Sequence, residues 1–179
     1  MNKSVLGLAV LASLAAGPTL AANAKLEAPI HQFVDSFNKG DMKGSAAANV
    51  AGGMSIIDEP PPHYWTGPGA FAAWAAAVET DAKAHGDTDG KVTLGAATRE
   101  DVNGDHAYVV MPATYSYTEK GVATREPAHF VFALARGADG WKIAAWSWTG
   151  GKPAPAPAAK AAPAAKPAPA AKPAPAAKK

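Results

Sequence analysis

Ser55-Ile-Ile-Asp-Glu-Pro-Pro-Pro-His-Tyr-Trp-Thr-Gly-Pro-Gly-Ala-Phe-Ala-Ala-Trp74 packs a short strand, an acidic pair, a stiff turn and a helix start into one stretch. Met54 to Asp58 reads as a strand. Alternation puts Asp58 on the face of Met54 and Ile56, and Glu59 on the face of Ser55 and Ile57. Pro60-Pro61-Pro62 forbids regular pairing, because proline fixes φ and carries no donor. Gly67-Pro68 then opens a helix with proline at its first position. Phe71, Trp74, Ala75, Val78 and Ala82 form its buried stripe, and Gly86-Asp-Thr-Asp-Gly90 ends it.

Upstream, Ile30, Phe33, Val34 and Phe37 follow the spacing of an amphipathic helix. Gly40 suits its stop, Asp41 can cap a second short helix, and Gly52-Gly53 breaks that helix. Downstream lies a chain of hairpins. Val92 to about Val102 meets Asn103-Gly104, a strong two-residue turn signal. Asp105 to Thr118, Val122 to Arg136 and Trp141 to Thr149 follow, separated by Glu119-Lys-Gly121 and Gly137-Ala-Asp-Gly140. Helices first and strands afterward predict an α+β domain: a curved antiparallel sheet, a cone-like half barrel, wrapped around three N-terminal helices.

The two ends differ from this middle. Lys3, the apolar run Val5–Ala16 and Ala22-Asn23-Ala24 read as a signal peptide over residues 1–24, with cleavage near Ala22 or Ala24. The apolar run is too short to span a bilayer, so no membrane span is expected once it is removed. Export to the periplasm or beyond is therefore the expected localisation. Cysteine is absent, so the domain, residues 25–150, must rely on an ordinary hydrophobic core. From Lys152 the tail, residues 151–179, contains only Pro, Ala and Lys, with Lys160, Lys166, Lys172 and Lys178 at six-residue intervals. Such composition predicts a disordered, polyproline-like segment, able at most to touch an envelope polyanion weakly and without specificity for nucleic acid. Of the 17 Lys and Arg, six lie in this tail and one in the leader; the domain keeps ten against all 15 acids, a net of −5. A mildly acidic globule thus carries a basic tail.

The order α-α-β-α followed by a meander resembles the nuclear transport factor 2-like superfamily, including its SnoaL-like and ketosteroid isomerase-like branches. The matching residues are Ile57-Asp-Glu-Pro-Pro-Pro through Trp65-x-Gly-Pro-Gly-Ala, and Gly140-Trp-Lys-Ile-Ala-Ala-Trp-Ser-Trp-Thr149; the first block is the more specific, to a functionally obscure, often secreted branch. The resemblance implies a cone enclosing an apolar cavity, and a homodimer through the convex sheet face. It covers both enzymes and non-catalytic binders, so fold does not choose between them.

Asp58 is the candidate general base: a carboxylate desolvated at the cavity has a raised pKa. The isomerases of the superfamily pair such a base with a first-helix Tyr, which is missing here. His129, placed by alternation with Val131 and Ala133, is the candidate acid/base partner. Tyr64, Trp65, Trp74, Met111, Tyr115, Trp146 and Trp148 are the candidate ligand pocket, suited to a flat apolar or aromatic molecule. Trp146 and Trp148 share one strand face, with Trp141 and Ile143 on the other unless a bulge intervenes. No metal-ligand spacing, nucleotide loop or catalytic cysteine is present, so no metal and no cofactor is expected. Three readings remain: an exported small-molecule binder, an isomerase, dehydratase or cyclase using Asp58, and a dimeric envelope scaffold presenting lysine tails.

Overall fold

The computed structural model describes residues 18–157, with side chains from Ala24 onward. Two helices come first, α1 (Pro18–Asn38) and α2 (Met42–Ala47), then β1 (Met54–Ile57), β2 (Tyr64–Gly67) and α3 (Ala70–His85). The strands β3 (Asp87–Leu94), β4 (Arg99–Asn103), β5 (His106–Glu119), β6 (Val122–Gly137), β7 (Gly140–Gly150) and β8 (Ala154–Pro155) complete it. The chain is α+β, with a curved, unclosed sheet folded over the helices. No helix among the described residues is long and apolar enough to cross a membrane.

The sheet runs β2-β1-β7-β6-β5-β3, with β4 joined to β5 and β8 to β6. It is mixed rather than wholly antiparallel, because β1 pairs parallel with β7, Ile56 opposite Trp146. Thus the two segments that carried the resemblance lie side by side. The β5–β6 hairpin is the frame: Glu119 opposes Val122 at its turn, and pairing runs unbroken to His106 opposite Ala135. One half of this hairpin is flanked by β7 and β4, the other by β8 and β3.

Local signals explain most of these elements. The Asp41 carboxylate accepts the Gly44 N–H at 2.8 Å and caps α2. Gly40 and Gly86 both have φ above +70°, the left-handed geometry that stops α1 and α3. The third helix starts two residues later than expected, after Gly69, because Gly67 still belongs to β2. Between the prolines and α3, where the sequence pattern marks no element, lies β2, hairpinned to β1 with Ile57 opposite Tyr64. The expected single strand Val92–Val102 is two, β3 and β4, interrupted at Gly95–Thr98. Asn38 ties α1 to β3 by two bonds of 2.8 Å, its amide donating to the Val92 carbonyl and accepting the Val92 N–H.

Phe33 of α1 lies at the centre of the core, its ring within about 6 Å of Phe71, Trp74, Phe130 and Trp146. Phe132, Ile30, Ile56, Leu134 and Ile143 are fully enclosed around it. A one-residue bulge at Ala144, between the pairs Ala133–Ala145 and Leu134–Ile143, turns Ile143 and Trp146 to the same inner face. The alternative with a bulge is therefore the one adopted.

Beyond Gly150 the chain does not leave the domain. Gly151 donates to the Pro127 carbonyl and Ala156 to that of Ala123, and Ala154–Pro155 pairs with Thr124–Arg125. Strand pairing therefore reaches past the expected boundary, since β6 outruns β7 and leaves an edge for residues 154–155 to cover. The rest of the expected tail, and most of the expected leader, lie outside the described residues.

Candidate functional site

Where α1 and α3 meet the inner face of the sheet, the core opens into a cavity of about 360 Å³. Phe33, Val34 and Phe37 come from α1, and Trp74, Val78, Ala82, Asp81 and His85 from α3. The sheet supplies Val92, Tyr115, Tyr117, Phe130, Trp146 and Trp148, and Pro153 ahead of β8 completes the wall. The aromatic surface is continuous: Trp74 and Trp146 meet edge to face at 5.0 Å, and Tyr115 and Tyr117 stack at 5.0 Å.

Into this apolar chamber project six carboxylates: Asp58, Glu59, Asp81, Asp87, Glu119 and Glu126. No lysine or arginine lines it among the described residues. Asp58 lies where alternation placed it, on the face of buried Met54 and Ile56. The Trp74 indole N–H donates to its Oδ2 at 2.7 Å, and the Glu59 backbone N–H to its Oδ1 at 2.8 Å. Burial nevertheless pushes the Asp58 carboxyl above its ordinary value; those two bonds oppose the shift and Asp81 adds to it.

Glu59 was assigned by alternation to the opposite face from Asp58. Because β1 ends at Ile57, the following turn is free of the pleat and swings Glu59 toward the cavity. It shares a hydrogen bond with Glu126. Glu126, 4% exposed, also accepts the Trp148 indole N–H on Oε1 at 2.7 Å. Burial pushes the Glu126 carboxyl up to about 7, helped by the charges of Glu59 and Asp58 and opposed by the Trp148 bond. Glu59 is raised as well, by burial and then by Asp58. Two raised carboxyls side by side favour holding one proton between them. Both Oε1 atoms press on the Cα of Gly150, where a methyl group would overlap them.

Tyr115 lies across the chamber, its phenol pushed up to about 12 by burial and then by Asp87, Tyr117 and nearby carboxylates. Its hydroxyl occupies the space beside Gly90 that a Cβ would fill. Two polar atoms on the lining have no partner: the Oδ1 of Asp87 and the Nε1 of Trp146.

Of the residues expected to form the pocket, Trp74, Tyr115, Trp146 and Trp148 do line the cavity, and Asp58 does too. His129 does not. The inner positions of β6 are Thr124, Glu126, Ala128, Phe130, Phe132 and Leu134, so His129 faces outward with Val131 and Ala133, on the far side of the sheet from Asp58. Trp65 and Met111 are buried in the core away from the chamber. Tyr64, 54% exposed, lies on the outside of β2. Phe130 and above all Glu126 were missed; their signal was the alternation of β6, anchored on the larger side chains. Among the described residues no cluster of His, Cys, Asp and Glu has a metal-holding arrangement.

No protein-family model matches the chain, and no curated protein matches it. Solved structures do. A ketosteroid isomerase-like protein from Erwinia carotovora atroseptica shares 19% identity and a TM-score of 0.54 over 71% of this chain and 94% of its own. A hexachlorocyclohexane dehydrochlorinase, LinA type 2, shares 13% identity and a TM-score of 0.64 over 82% of this chain and 97% of its own. An NTF2-like protein with a cystatin-like fold from Novosphingobium aromaticivorans shares 18% identity and a TM-score of 0.58 over 72% and 81%. With three helices packed into a curved, open sheet, and with likeness of this extent to such structures, the chain has the fold of the nuclear transport factor 2-like superfamily.

Proposed function

We propose that this domain binds a small molecule with a flat apolar body in the chamber between α1, α3 and the sheet. The carrying observation is the cavity itself: about 360 Å³, walled by Phe33, Phe37, Trp74, Phe130, Trp146 and Trp148, with its polar groups gathered at defined points. An open concavity of this volume, mostly apolar and aromatic with a few convergent polar groups, has the form of a small-molecule site. Titration with the neutral aromatic probe N-phenyl-1-naphthylamine, read by quenching of tryptophan fluorescence, tests this. One site per chain is expected, and Val78→Trp, which fills the chamber, is expected to abolish it. Absence of binding, or binding untouched by V78W, refutes the proposal. The leader and the basic tail add a second part: the protein is exported, and the intact mass of the exported form reports cleavage near Ala22 or Ala24.

One observation favours a catalytic reading beside binding. Asp58 and the Glu59–Glu126 pair offer a carboxylate held by an indole N–H and a carboxyl that titrates near neutrality. Such a pair can remove a proton at one atom of a ligand and return one at another, the acid–base chemistry of an isomerase or dehydratase. Glu126 takes the partner role that His129, facing outward, cannot fill. The ketosteroid isomerase-like and dehydrochlorinase neighbours make this chemistry reasonable for the fold, without assigning a substrate. Loss of turnover in both Asp58→Asn and Glu126→Gln, with ligand binding retained, is the expected pattern for any substrate found.

A further inference from the structure

Resting on the small-molecule reading, we infer that the ligand of this chamber is an organic cation: a protonated amine on a flat apolar body that also carries a hydrogen-bond acceptor. The charge on the chamber wall is unbalanced. Six carboxylates line it, and the groups that offset them are few. Asp58 has the Trp74 and Glu59 N–H groups, and Glu126 has the Trp148 N–H and the hydrogen bond it shares with Glu59. Lys120 and His85 serve only one end: Lys120 lies 3.8 Å from Glu119, the His85 ring 3.4 Å from Asp81, and both act on Asp87. Arg125, next to Glu126 in sequence, points out of the sheet. Asp58, Glu59 and Glu126 thus face one another rather than cations, and a ligand with positive charge supplies what the protein does not.

Three further features point the same way. Indole and phenol faces surround the acids, and an ammonium over such faces is attracted by the ring quadrupole while its apolar body is buried. The Oδ1 of Asp87 is a buried acceptor without a donor, which an N–H of the ligand would satisfy. The Nε1 of Trp146, a residue only 3% exposed, is a buried donor without an acceptor, and it asks for an oxygen elsewhere on the same ligand. An anionic ligand of the same shape would meet repulsion from every carboxylate and would gain only that one donor. Binding of a cation also lowers the Glu126 carboxyl toward its ordinary value, so a proton is released as the ligand enters.

The test uses three probes of one shape, 2-naphthylmethylammonium, 2-naphthylmethanol and 2-naphthoate, titrated calorimetrically into the full-length protein at neutral pH. The ammonium is expected to bind about tenfold or more tighter than the alcohol, and the carboxylate more weakly than either. Repeating the titration in two buffers of different ionisation enthalpy is expected to show fractional proton release with the ammonium and none with the alcohol. Glu126→Gln is expected to abolish that release. An alcohol that binds as tightly as the ammonium overturns the inference while leaving the small-molecule reading intact, and proton uptake with the ammonium also overturns it. Failure of all three probes overturns both. Since Lys160 and the lysines after it carry the same chemistry, the titration is repeated on a chain ending at Pro157. Tighter ammonium binding there shows that the protein's own tail competes for the chamber and overturns a separate ligand as the needed cation, and unchanged binding excludes the tail and supports a separate amine.

Discussion

Glu126→Gln should make the protein more stable at neutral and alkaline pH, not less, because proton binding is linked to folding. The ordinary carboxyl of Glu126 titrates at 4.5, and in the folded chain it is pushed up to about 7. Below 4.5 both folded and unfolded chains hold the proton and Glu126 contributes no deficit. As pH rises from 4.5 toward 7 the unfolded chain loses the proton first, so stability falls across that window, and above 7 the full deficit is present. At about 1.4 kcal/mol per unit, the gap corresponds to roughly 3 kcal/mol, and to roughly 2 kcal/mol once water near the exposed Glu59 screens the charges. Glutamine keeps an oxygen for the Trp148 N–H but cannot ionise. Urea unfolding followed by tryptophan fluorescence at pH near 4.5, 6 and 8 reads the effect. The wild type should lose stability steadily from acid to alkaline conditions. The variant should lose less and exceed the wild type by about 1–2 kcal/mol near pH 8. A wild-type stability that rises with pH over this window, or an E126Q profile parallel to it, would refute the placement of a buried, proton-sharing carboxyl at this position.

Trp74→Phe removes the 2.7 Å donor to Asp58 while keeping an aromatic ring; a loss of about 1–3 kcal/mol is expected, larger near pH 8 than near pH 5, because the Asp58 carboxyl is pushed still higher. Gly150→Ala drives a methyl group into the Glu59–Glu126 pair and is expected to cost about 1–3 kcal/mol and to weaken cavity binding, both read in the same unfolding and probe titrations. His129→Ala, on the outer face, should change unfolding by no more than about 0.5 kcal/mol and leave probe affinity unaltered; a loss of binding would contradict the strand register. A chain ended at Gly150 lacks β8 and the wall residue Pro153, and should bind the neutral probe several-fold more weakly than the full chain; equal affinity would show that the early tail is not part of the site.

The contrast between Asp58 and Glu126 shows how far the amino-acid sequence carries such a site. Asp58 was legible because Met54 and Ile56 precede it in one unbroken strand, so a period of two sufficed to put it inside. Glu59 was assigned the wrong side because the same period was continued past Ile57, where the strand stops and the turn sets direction instead. His129 failed for a different reason. In β6 two sets alternate, His129 with Val131 and Ala133, and Ala128 with Phe130, Phe132 and Leu134; both are apolar enough to be an inner face. Volume decides between them: a concave sheet over a helix needs the larger set inside, and Phe130, Phe132 and Leu134 all pack in the core. Continuing that set backward reaches Glu126, so the most perturbed acid in the domain was available to the right anchor. The bulge in β7 is harder to foresee, since nothing in Lys142-Ile-Ala-Ala145 marks Ala144 as unpaired, and only the partner strand reveals it. The fold survives these slips because turns, caps and hydrophobic stripes each specify it independently. A polar site has no such redundancy. One residue of register separates a carboxylate buried against a tryptophan from an imidazole in water, and the chemistry of the chamber depends on which of the two the curved sheet turns inward.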